Sequence, residues 1–210
     1  MHHAVMNTTL RLLCLFPAAA LLVACATTAP PSPQDRFLAN LRALCGQSFA
    51  GRVLVDVPAS DAPNPFTGQP LVMHVRDCER DGVRIPFHVG TDRSRTWVVT
   101  RTAIGLRLKH DHRHADGSED ALTQYGGDTM DAGTARRQAF PVDADSRALF
   151  TRQQREVSNS NTWAMEIEPG RVFVYELARP GGRLFRVAFD LRTQVPTPPP
   201  AWGAATPSIR

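Results

Sequence analysis

From Phe49 onward, apolar residues recur at every second position, and that period leaves few folds open. Val53, Val55 and Val57 alternate with Arg52 and Asp56; Leu71, Met73 and Val75 alternate with His74 and Arg76. Ile85, Phe87 and Val89 alternate with Arg84 and His88, and Trp163, Met165 and Ile167 with Glu166 and Glu168. Phe173, Tyr175 and Leu177 form a similar row, as do Phe185, Val187, Phe189 and Leu191 between Arg186 and Asp190. Successive side chains of a strand point to opposite faces, so each stretch reads as an antiparallel strand with one dry and one wet face. Turn signals at Asp81-Gly82, Asp116-Gly117, Gly126-Gly127, Pro169-Gly170 and Gly181-Gly182 punctuate them.

With residues 94–102, 105–114, 121–127 and 134–142, the count reaches about ten strands. Two helices accompany them. Ser32-Pro33-Gln34-Asp35 reads as an N-cap, a proline at the first helical position and an acid at the third, before Phe37, Leu38, Leu41 and Leu44 at helical spacing. Gly46 supplies the stop, giving a helix over about 33–45. A shorter helix is expected near 145–155 with Asp145 as its N-cap. The chain is therefore mainly β, an antiparallel meander that closes as a barrel or folds as a sandwich. In layout it resembles lipocalin-like and fatty-acid-binding barrels, without the Gly-x-Trp signature of the former.

The first residues concern location. Arg11 precedes a nearly unbroken apolar run from Leu12 to Ala24, too short to span a bilayer but of the length of a secretory signal. Met6 is an alternative initiator to Met1. The run ends in Leu22-Val23-Ala24-Cys25, which resembles the lipobox of bacterial lipoproteins. The resemblance implies cleavage before Cys25, lipidation of its sulfur and, with Ala26 next, sorting to the outer membrane. Two or three acyl chains hold a protein far more firmly than one. The expected organisation is a signal peptide over 1–24, a linker over 25–33, one β-rich domain over 34–193 and a proline-rich, disordered tail over 194–210. Removal of residues 1–24 leaves 186 of the 210, enough for one core, and lowers the net charge from +4 to +3 with the loss of Arg11.

Charge points to no polyanion. The 23 arginines are spread along the chain beside acids, and no basic block or aromatic-interleaved stripe suggests nucleic acid. Of four cysteines, Cys14 leaves with the signal and Cys25 is the lipidation candidate. An oxidising compartment predicts a disulfide between Cys45 and Cys78, contributing roughly 3.5–4 kcal/mol in the chain-entropy picture; two separate buried thiols are the alternative.

One stretch carries possible chemistry. In residues 105–114, Arg107, Lys109, Asp111 and Arg113 share the wet face, so Leu106, Leu108, His110, His112 and His114 share the dry one. His-x-His on a strand can bind zinc or copper, but positions i and i+4 lie roughly 13 Å apart, so another ligand must come from elsewhere. His74 and His88 fall on wet faces, and Asp116, Glu119 and Asp120 lie across a turn. The other reading is a polar row at the solvated end of a pocket. Trp97, Tyr125, Trp163 and Tyr175 read as core or rim aromatics. The chain has no nucleophile elbow, phosphate-binding loop, dinucleotide fingerprint or His-Glu-x-x-His. Through SRTWVVTRT, LRLKHDHRHADGSED and QYGGDT, residues 36–192 resemble secreted and lipoprotein families of Gram-negative bacteria, which implies a compartment and no activity. The expectation is a lipid-anchored, non-catalytic β-domain that binds a small apolar or amphipathic ligand or an envelope partner, with no cofactor unless the histidines hold zinc or copper.

Overall fold

The computed structural model describes residue 1, residues 30–58 and residues 64–204. The candidate signal from residue 2 on, Cys25 and residues 205–210 lie outside the described residues.

Helix α1 (Pro33–Arg42) opens the folded body. The Ser32 side chain accepts from the Asp35 backbone N–H while the Asp35 carboxylate accepts from the Ser32 N–H, a reciprocal cap that satisfies two orphan donors. Gly46 takes a positive φ of 81°, where a side chain would be strained, and ends the turn that follows. Eleven strands come next: β1 (Ser48–Val57), β2 (Leu71–His74), β3 (Asp77–Glu79), β4 (Gly82–Val89), β5 (Asp92–Arg101), β6 (Leu106–His112), β7 (Tyr125–Asp128), β8 (Arg137–Pro141), β9 (Thr162–Glu168), β10 (Val172–Arg179) and β11 (Arg183–Gln194). Helix α2 (Ala144–Arg152) and a 3₁₀ turn (Glu156–Ser160) link β8 to β9.

The strands pair in the order β7-β6-β5-β4-β2-β1-β11-β10-β9-β8, all antiparallel, with β3 paired to β4 off this path. The alternation thus gives the meander expected from the sequence, with one strand more, the short β3. Strands β1 and β11 join the two ends of the domain. The remaining edges, β7 and β8, meet at a single bridge between Gly127 and Val142, so the sheet is a nearly closed barrel. The seam explains Gly126-Gly127. They lie within β7, not in the turn their pairing suggested, and a Cβ on Gly127 would sit 1.8 Å from the Pro141 carbonyl oxygen. No side chain fits there.

Inner rows fill the barrel. Phe49, Met73, Ile85, Leu106, Leu108, Met165, Phe173 and Phe189 are fully buried. Helix α1 adds Phe37 and Leu41 to the same core. It is fastened where β5 ends and β8 begins: Gln34 Nε2 donates to Asp131 O at 2.9 Å, Asn40 Nδ2 to Ala135 O at 2.9 Å, and Asp35 pairs with Arg101 at 3.1 Å. The Cys45–Cys78 disulfide forms as expected and ties the segment after α1 to β3.

Four expectations need correction. Asp143, not Asp145, caps α2, accepting from the Ser146 N–H, because the same carboxylate also pairs with Lys109 at 2.6 Å. The proline-rich tail is ordered through residue 204. Val195 N–H donates to Ser48 O, Arg93 Nη1 to Pro200 O, Trp202 N–H to Arg93 O, and Ala201 is buried. Beneath that strap Asp111 is buried between Arg84 (2.5 Å) and Arg113 (2.7 Å) instead of facing water. His88, assigned to a wet face, is likewise buried, next to the charges of Asp92 and Arg93.

Candidate functional site

At the barrel end opposite α1, the interior is hollow. A cavity of about 420 Å³ opens there, bounded by the last residues of β4, β6 and β10 and the first of β5, β9 and β11. That volume falls within the range of small-molecule pockets, about 300–1,000 Å³. Its walls are aromatic. Phe87 stacks on Trp97 (centroids 4.8 Å) and Trp97 on Tyr175 (4.5 Å). His110 stacks on Tyr125 (4.6 Å) and leans on Trp163 (5.1 Å). Phe66, on the loop between β1 and β2, closes against Phe185 at 4.9 Å. Trp97, Tyr125, Trp163 and Tyr175 are packed into the core as expected, but they also converge on one space, which the sequence reading missed. Trp97 and Tyr175 stand mid-strand and Tyr125 and Trp163 at strand starts, so position along the strand gave no signal of the convergence.

The histidine row runs into this space and then out of it. His110 is buried, His112 half-buried and His114 exposed in the turn after β6. His110 Nδ1 lies 3.1 Å from Tyr125 O and its Nε2 lies 2.7 Å from the Tyr175 hydroxyl. Burial pushes the His110 pKa down to about 3, so the ring is neutral at pH 7 and carries one N–H. A carbonyl oxygen only accepts, so Nδ1–H must donate to Tyr125 and Nε2 must accept from Tyr175. The tautomer follows from the partners, and both nitrogens are engaged. His112 Nε2 lies 3.2 Å from the Tyr125 hydroxyl, and burial holds its pKa near 4. Burial also raises Tyr125 to about 12 and pushes Tyr175 well above its ordinary value, so both phenols stay protonated.

The three histidines therefore diverge. Among the described residues no group of three His, Cys, Asp or Glu stands together as a metal would require. The geometry is that of a neutral, hydrogen-bonded wall.

Polar residues sit chiefly where the cavity opens. Arg95 and Arg183 line it, each held from behind through Nη1 by an aspartate, Asp92 and Asp56 respectively. Arg95 also lies over the Phe66 ring at 5.7 Å. Arg155 and Asp120 complete the charged lining. Deeper, Asn161 is buried, and its Oδ1 has no hydrogen-bond partner among the described residues. Its neighbourhood carried no sequence signal, because a loop asparagine between two helical turns and a strand reads as a cap.

Comparisons with protein families, with curated proteins and with solved structures found no match to this chain. The site must be read from its own geometry.

Proposed function

We propose that this chain is an outer-membrane lipoprotein, anchored through Cys25, whose barrel binds a small apolar or amphipathic ligand without converting it. The cavity carries the reading: about 420 Å³ lined by stacked aromatic faces, at the end of the barrel opposite α1. A ligand seated there gains about 25 cal/mol for each Å² of apolar surface it withdraws from water. The wall around it is chemically quiet. His110 is neutral with both nitrogens engaged, and the two phenols are far from ionising, so the polar groups suit orientation of a ligand better than proton transfer. Asn161 offers an unused acceptor for a hydroxyl or amide on the guest. The lipobox-like Leu22-Val23-Ala24-Cys25 and the short linker after it would hold the barrel close to the membrane surface, where such ligands partition. Zinc or copper on His110, His112 and His114 has weaker support, because His110 has no free nitrogen and His114 points to solvent.

The test uses the neutral dye N-phenyl-1-naphthylamine with purified Cys25→Ser protein. The expected result is saturable binding with energy transfer from Trp97 and Trp163, lost when Ser158→Phe fills the cavity. Dye binding that survives Ser158→Phe, or no binding at all, would sink the reading.

A further inference from the structure

The cavity's charge is lopsided in a way that its apolar walls do not require. Three arginines line it against one carboxylate, Asp120. Arg95 and Arg183 are partly neutralised by Asp92 and Asp56, but each uses only Nη1 in the bonds it makes. A guanidinium has five N–H donors in a planar fork, so both keep Nε and Nη2 donors without a partner among the described residues. Arg155 differs from both. It stands between α2 and the 3₁₀ turn, its backbone N–H bonded to Phe150 O at 2.8 Å, and its side chain makes no hydrogen bond or ion pair among the described residues. Elsewhere the long cationic side chains of the sheet are mostly paired: Arg107 with Asp128, Arg137 with Glu166 and Glu176, Arg186 with the same two glutamates. An exposed, unpaired arginine on a surface is ordinary. One that joins two others at the mouth of an aromatic cavity is a recognition feature, because fork-shaped donors match a planar or tetrahedral oxyanion.

We infer that the cavity takes an anionic amphipath: an apolar or aromatic body among Trp97, Trp163 and Tyr175, with a carboxylate, sulfonate or phosphate head held by Arg155, Arg95 and Arg183. This rests on the binding reading above and specifies its ligand class. Position supports the division of labour. The aromatic wall is almost wholly buried, whereas Arg155 is exposed and Arg95 and Arg183 are half-buried. The body is desolvated and the head stays at the rim, the arrangement that places a charge at least cost. A cavity of this size suits a drug-sized acid, so the shared acidic chemistry belongs to a small molecule and not to the headgroup of an intact membrane lipid.

The experiment compares two dyes with one ring system, 8-anilinonaphthalene-1-sulfonate and its neutral parent N-phenyl-1-naphthylamine, on wild-type, Arg155→Gln and Arg152→Gln proteins. Arg155 is exposed and unbonded, so its replacement leaves folding intact. Arg152 sits on α2, outside the cavity lining. Arg155→Gln is expected to weaken the sulfonate dye on the order of tenfold, the value of one charge-assisted hydrogen bond, and to leave the neutral dye unchanged. Arg152→Gln changes neither, decanoate displaces the sulfonate dye, and phosphatidylglycerol vesicles do not. If both dyes bind and Arg155→Gln affects them equally, or not at all, the anionic head is wrong while the binding cavity stands. Displacement by vesicles but not by decanoate overturns the small-acid assignment. If neither dye binds, the cavity reading fails and this inference falls with it.

Discussion

Leu106 and Leu108 share the inner row of β6 with His110 and His112, yet the two pairs stand in different interiors. Around the leucines, α1 brings Phe37 and Leu41 into the barrel, and the core there is close-packed and largely apolar. Around the histidines α2 lends Phe150 to the wall, and flat aromatic faces line a space that they do not fill. The same strand, with the same alternation, thus serves a packed plug at one end and a vessel at the other. The difference teaches what a hydrophobic pattern leaves open. It states which face is dry and is silent on whether the dry space is occupied.

The sharpest way to break this contrast is truncation at each end. Phe37→Ala at the plug should cost about 3–5 kcal/mol in urea unfolding, because its site cannot collapse. Phe66→Ala at the cavity mouth, half-buried against Phe87 and Phe185, should cost under about 1.5 kcal/mol and weaken dye binding instead. Equal losses at both ends would mean that the cavity end is as closely packed as the plug.

Acid should act through the histidines. His110 titrates near 3 and His112 near 4 in the folded protein, both depressed by burial, against an ordinary value near 6.5. Below pH 6.5 the unfolded chain takes up protons that the native state refuses. Stability is therefore complete above about pH 6.5 and falls as pH drops toward 4, by about 1.4 kcal/mol per pH unit for each such histidine. His88, near 4 on the outer face, adds to the same slope. His110→Gln should reduce the slope between pH 6 and 4 by about one histidine's share. A slope unchanged in that variant would show that His110 is not held neutral.

The smallest expected effect concerns the strap. Truncation after Gln194 removes Ala201 and Trp202 from the outer face and lets water reach Asp111, for a loss of about 1–2 kcal/mol, or a Tm lower by several degrees. Dye affinity should stay constant, since the strap lies outside the barrel and the cavity inside. A change in affinity would couple the two surfaces.

Much of the architecture was legible because it rests on local rules. The period of two, the Ser32-Pro33-Asp35 cap and the positive-φ Gly46 each act within a few residues, and each appears where the residues placed it. The Cys45–Cys78 pairing, expected if the chain enters an oxidising compartment, forms in the structure. Asp111 was misassigned because burial on the outer face depends on chain far away in sequence, the segment after residue 194, and alternation alone likewise could not show that His88 is buried. The cavity was illegible for the same reason. Trp97, Tyr175, Trp163 and Arg155 come together only through strand direction and register, which alternation does not encode.

By itself, then, the sequence determined a one-dimensional property: which side of each strand prefers oil to water, and where the chain must turn. Tertiary structure alone decided how the strands close at Gly127 and Val142, which end α1 enters, and which aromatic rings face the cavity. The physical reason is that the hydrophobic effect is non-directional and responds to area removed from water. It drives every dry face inward without specifying what it will meet there.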